Sequence, residues 1–149
     1  MRRLLSSVVL SICFAVSFAT GGAAAEPVKI KFTLDWKLQG LHAWFYWAKA
    51  KGYFAAENLD VTIDQGEGSA VTVTRVMSGA YDAGFGDINA IIQNTATRPG
   101  EAPVMVYMIY NKAPFALLSK ATGPIKSLKD LEGSKLGAPA GGASVKLLP

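Results

Sequence analysis

Cysteine is almost missing from this chain, which has a single one, Cys13, among 149 residues. A lone cysteine excludes an internal disulfide and a multi-thiolate metal site. Histidine is equally scarce. His42 has no second ligand near it in sequence and falls on the polar side of an apolar helix, so it reads as a surface residue. No metal and no cofactor are therefore expected. A strong charge of one sign is also absent: 15 Lys and Arg stand against 11 Asp and Glu. No basic run interleaved with aromatics occurs, so nucleic acid is not an expected partner. Gly66-Glu67-Gly68 lacks the Gly-Lys-Ser/Thr ending of a phosphate loop. It also has Val71 where a dinucleotide fingerprint needs glycine. No Gly-x-Ser-x-Gly nucleophile elbow is present.

What is present begins with a leader. Arg2 and Arg3 precede an apolar run from residue 4 to 19, and Ala23-Ala24-Ala25 supplies small residues of the A-x-A kind. This predicts a cleavable signal peptide over residues 1–25, with Glu26 as the mature start. The apolar run is short for a membrane anchor, and Ile12 before Cys13 does not suit lipidation. Export without disulfides fits a bacterial periplasm. Beyond the leader 13 basic residues remain against 11 acidic ones, so the charge nearly balances.

The mature part reads as alternating strands and helices. Val28, Ile30, Phe32 and Leu34 alternate with polar residues, and so do Leu59, Val61 and Ile63. Between them Leu41, Trp44, Phe45 and Ala48 form a helical face, ending at Lys51-Gly52. After the second strand, Asp64 to Asn89 forms the organising stretch. It holds a glycine turn, a helix with Ala70, Val73, Val76 and Met77 on one face, a stop at Gly79 and a short buried strand over 82–87. A further helix over 88–96 would turn Ile91 and Ile92 inward. Residues 104–110 are apolar on both faces, the pattern of a central parallel strand. Residues 115–118 and 135–137 read as short strands, 127–131 as a short helix capped by Ser127, and Ser144 as the start of another helix.

In an open parallel α/β sheet, ligands bind at the loops after the strands' C-terminal ends. That rule selects Asp35, Trp36, Ser69, Asp87 and Asn89. Trp36 offers a plane to stack on a ring or cover an apolar tail, or it closes the core's edge. Asp35 either fixes its loop by accepting backbone N–H groups or meets a ligand donor. Ser69 caps its helix, contributes to an anion site at the helix N-terminus, or does both. Glu67 beside it is awkward for an anion; it suits an amine, or its turn faces away. Asp87 and Asn89 serve as ligand contacts or as helix caps. Ser144 would be the counterpart of Ser69 later in the chain.

Four patterns stand in register along the chain. They are Leu34-Asp35-Trp36; Gly52-Tyr53-Phe54-x-x-Glu57-x-Leu59-Asp60-Val61; Ser78-Gly79-x-x-Asp82-x-Gly84; and Leu128-Lys129-Asp130-Leu131-x-Gly133. Together they resemble the solute-binding proteins of bacterial ABC importers. The branch is that of nitrate, sulfonate, taurine and thiamine-pyrimidine-precursor binding proteins, with the fungal pyrimidine-precursor synthase among its members. The resemblance implies an α/β, type II periplasmic-binding-protein fold, whose two lobes close on a ligand by hinge motion. On that comparison residues 26–120 are lobe one with a crossing strand, and 121–149 are an incomplete start of lobe two. It further implies a periplasmic monomer that passes a small organic or oxyanion solute to membrane permease subunits. Leu38-Gln39 stands where pyrimidine-precursor binders tend to have Pro-Asn. An enzyme like the synthase, or an inactive fragment of a binding protein, is the alternative. The synthase type uses a cysteine-rich iron motif, so the lack of cysteine after residue 13 argues for a binder without enzymatic activity.

Overall fold

The computed structural model describes residues 25–112, 115–139, 142 and 144. The expected leader therefore lies outside the described residues, Ala25 excepted. Three strands form one parallel sheet in the order β2-β1-β3. They are β1 (Val28–Thr33), β2 (Leu59–Asp64) and β3 (Ala83–Gly84). In the β1–β2 ladder Ile30 lies opposite Val61 and Phe32 opposite Ile63, so the apolar residues of both strands share a face.

Helix α1 (Ala43–Ala50) follows a 3-10 turn over Gly40–His42, and the one-turn helix α2 (Tyr53–Ala56) leads into β2. Phe45 of α1 meets Phe32 at 5.0 Å between ring centroids and so covers that apolar face. Lys49 lays its stem along the same side and donates to the Val61 carbonyl at 2.6 Å. Helix α3 (Ser69–Met77) links β2 to β3, and α4 (Ile88–Thr97) follows β3. Arg75 of α3 donates to the Thr33 hydroxyl (3.1 Å), which places α3 on the sheet's other face. Gly79, at φ 72°, stops α3 in the left-handed region where a side chain would be strained.

Three expectations are corrected. Residues 104–110 form no strand, and Val104 and Val106 are 85% and 91% exposed. Apolar composition on two faces favours burial but supplies no hydrogen-bonded neighbour. The two-residue β3 offers almost no ladder to extend. Only Tyr110 at the segment's end is docked, 5.5 Å from Trp44 and 6.4 Å from Phe85. Residues 115–118 and 135–137 likewise carry no strand pairing among the described residues. Ile92 is exposed, whereas Ile91 is half-buried.

The helix at 127–131 is a 3-10 turn over Leu128–Leu131. Asp130 reaches back to the N–H groups of Lys126 (2.9 Å) and Ser127 (2.7 Å), and these bonds hold its carboxyl below the usual range.

Candidate functional site

Because β1, β2 and β3 run parallel, their C-terminal ends lie at one edge of the sheet, and three loops leave from it. The first two are laced by backbone bonds. Gly68 N–H donates to the Asp35 carbonyl at 2.6 Å and Gly66 N–H to that of Trp36 at 3.0 Å. Gly66 is required there, since a Cβ would collide with the Leu34 carbonyl oxygen. The third loop joins through Ser69, whose Oγ accepts from Asp87 N–H at 3.0 Å. Below them the Thr72 hydroxyl donates to the Leu34 carbonyl at 3.0 Å. Among the described residues no buried side-chain nitrogen or oxygen lacks a partner.

Asp35, Trp36, Ser69, Asp87 and Asn89 thus come to one edge, as expected, but several act differently. Ser69 is not the N-cap of α3; that position belongs to Gly68, at φ 119°. Glycine reaches this backbone region freely, so the helix starts one residue earlier, at Ser69, and the buried Ser69 hydroxyl bridges to Asp87. The N–H groups of Val71 and Thr72 return to the Gly68 carbonyl at 2.9 and 3.1 Å. Of the N–H groups expected for a helix-end anion site, that of Val71 is thus turned back into the helix. Asp87 is the cap of α4, its Oδ1 accepting from Asn89 N–H (2.8 Å) and Asn89 Nδ2 (2.7 Å). Ser144 does not join them. It lines a separate cavity of about 310 Å³ with Phe115, Leu117 and Leu136.

Among the described residues no backbone N–H donates to the Asp35 carboxylate. Its Oδ1 lies 2.8 Å from Nε2 of His42. His42 itself is not a surface residue but fully buried. The expected helix began at Leu41, whereas the chain makes a 3-10 turn there, and its tighter winding carries the imidazole inward. Gln39 N–H donates to Nδ1 at 3.1 Å, so those partners assign the proton to Nε2, which donates to Asp35. The ring stands edge-on to Phe85 of the third loop, 6.1 Å away at 83°. The signal available in the sequence was the seven-residue separation of Asp35 and His42 across a single turn.

On the opposite face Arg75 donates to Thr33 Oγ1 and to the Gln65 carbonyl (2.9 Å), and lies 3.6 Å from Glu67. Tyr81 donates to Asp64 at 3.0 Å; this bond first, then burial and the Asp64 charge, raise its phenol above the ordinary value. Among the described residues no group of three or more His, Cys, Asp or Glu comes together to hold a metal ion.

A parallel sheet flanked by helices, with three laced loops over the strand ends, defines an α/β lobe of the periplasmic-binding-protein type. The chain belongs to the NMT1/THI5-like family, whose model matches residues 39–149. The match begins after Asp35 and Trp36. The chain is similar to 4-amino-5-hydroxymethyl-2-methylpyrimidine phosphate synthase THI11 of Saccharomyces cerevisiae, 29% identical over 73% of this chain and 32% of the relative. The corresponding synthase of Aspergillus parasiticus is 30% identical over the same shares. Riboflavin-binding protein RibY of Chloroflexus aurantiacus is 28% identical over 64% of this chain and 27% of the relative. No solved structure matches the chain. The chain spans about a third of the length of the curated relatives it matches.

These relatives correct the expectation of no enzymatic activity, because several are named as synthases. The cysteine argument behind that expectation fails on coverage. An absence counted over a third of a relative's length says nothing of the residues in the other two thirds.

Proposed function

We propose that the strand-end edge is one wall of a binding site for a small solute with a flat nitrogen heterocycle. The observation that carries this reading is the lacing of three loops at the sheet's C-terminal edge, where open α/β sheets take ligands. Trp36, half-buried in the first loop, supplies a plane for stacking. The names of the relatives support the ligand class, since a pyrimidine and a flavin are both planar nitrogen heterocycles. Delivery to an ABC importer's permease, in the periplasm, belongs to the same proposal. Its support is the leader-like pattern of residues 1–25 and the likeness to a riboflavin-binding protein.

A second reading is a pyrimidine phosphate synthase-like activity on this lobe, favoured by the names of the synthase relatives. Calorimetry of the full-length product of the gene against riboflavin, 4-amino-5-hydroxymethyl-2-methylpyrimidine, taurine and nitrate tests the first. Stoichiometric binding of a heterocycle is expected. Recovery of a newly formed phosphorylated pyrimidine would favour the second reading, and binding of none of the four would refute the first.

A further inference from the structure

We infer that His42 is a positioning residue that sets Asp35 to accept from a ligand N–H, so that the edge selects amine-bearing heterocycles over oxyanions. The inference rests on the binding reading above. His42 contacts three parts of the edge at once. Its Nδ1 accepts from Gln39 N–H, its Nε2 donates to Asp35 Oδ1, and its ring abuts Phe85 of the third loop. With no exposed surface, the ring cannot exchange these partners for water. One oxygen of Asp35 is thereby committed to the protein, while 27% of the side chain's surface remains open. The loop's backbone is pinned independently, by Gly68 N–H on the Asp35 carbonyl. The second carboxylate oxygen is left, on a rigid mount beside Trp36, as an acceptor for a donor carried by a stacked ring. A charged acceptor in fixed geometry makes one of the stronger hydrogen bonds available to a protein.

The cation of α3 is already engaged within the protein. Arg75 is held by Thr33, Gln65 and Glu67. Of the first-turn N–H groups of α3, that of Val71 turns back to the Gly68 carbonyl. Asp35 and Asp87 place negative charge at the edge, while Glu67 is offset by Arg75. Negative charge brought there is repelled, and an amino group is not.

The test is a comparison of probes on the full-length protein. The probes are 4-amino-5-hydroxymethyl-2-methylpyrimidine, its analogue with hydrogen in place of the 4-amino group, and nitrate. The amino probe is expected to bind about tenfold or more tighter than its deaminated analogue, from one hydrogen bond to a charged group. His42→Leu keeps buried bulk but removes the donor, and should collapse that ratio toward one. His42→Gln, which returns an N–H to Asp35, should restore part of it, and Asp35→Asn should lower it without altering the packing. A purely structural role for His42 would weaken both heterocycles equally and leave the ratio intact, which would overturn the inference. Equal wild-type affinity for the two heterocycles, or tighter binding of nitrate, would overturn it while solute binding stands. Binding of none of the probes would sink the binding reading and this inference together.

Discussion

Removing the Asp35 carboxylate would leave His42 Nε2–H inside the protein without an acceptor, because no water reaches the fully buried ring. Asp35→Ala is therefore expected to lower stability by about 1–3 kcal/mol, the cost of a buried donor left unsatisfied. Urea denaturation measures it, and an unchanged midpoint would contradict the buried pair. Tyr81 gives a pH dependence of definite sign. Its folded phenol titrates above its unfolded value, chiefly because its proton is donated to Asp64. The stabilisation is thus complete below the unfolded value of about 10 and is lost as pH rises through the folded one. Wild type should lose stability relative to Tyr81→Phe only in that alkaline window. A difference between the two that stayed constant through pH 11 would contradict the bond. The sequence showed which residues leave the strand ends, because position along an alternating strand is a local property. It did not show that His42 turns inward, since the choice of a 3-10 turn over an α-helix at Gly40–His42 depends on the Asp35 loop packing against it.

Elements whose partners are near in sequence were the most legible. Strands β1 and β2 and helices α3 and α4 follow from apolar spacing, from Gly79 and from Asp87, each readable within a turn or two. Residues 104–110 carry an equally strong pattern and no strand, because strand formation is decided by a neighbour that the pattern does not contain. Two substitutions separate these cases. Val106→Lys, at a side chain 91% exposed, should change stability by less than about 0.5 kcal/mol. A loss of several kcal/mol on thermal or urea unfolding would mean the segment is buried after all. Gly84→Ala places a Cβ 2.6 Å from Thr72 Cγ2 and 3.1 Å from Thr33 Cγ2. It should cost about 1–3 kcal/mol by overpacking the contact between β3, β1 and α3. A variant as stable as wild type would show that α3 can move off the sheet freely.

At the scale of the whole molecule, the described interior is small and unusually polar. Leu34, Val61 and Val73 are its buried hydrophobic residues, beside the buried Thr33, His42, Ser69 and Thr72. Those four are satisfied by bonds that cross between loops and strands, so the polar part of the interior lies directly beneath the candidate edge. Burying polar groups at that place stabilises less than apolar packing would, but it fixes the loops in one arrangement. The same end of the sheet that costs hydrophobic burial is the end proposed as the ligand's wall. The most direct measurement is backbone amide NMR of the full-length protein titrated with 4-amino-5-hydroxymethyl-2-methylpyrimidine and with riboflavin. Shifts concentrated at Asp35, Trp36, Gly66, Ser69, Asp87 and Asn89 are predicted for whichever heterocycle binds. Shifts confined to the cavity around Leu117, Leu136 and Ser144, or to the opposite strand ends at Val28 and Leu59, would contradict the assignment of this edge as the ligand's wall.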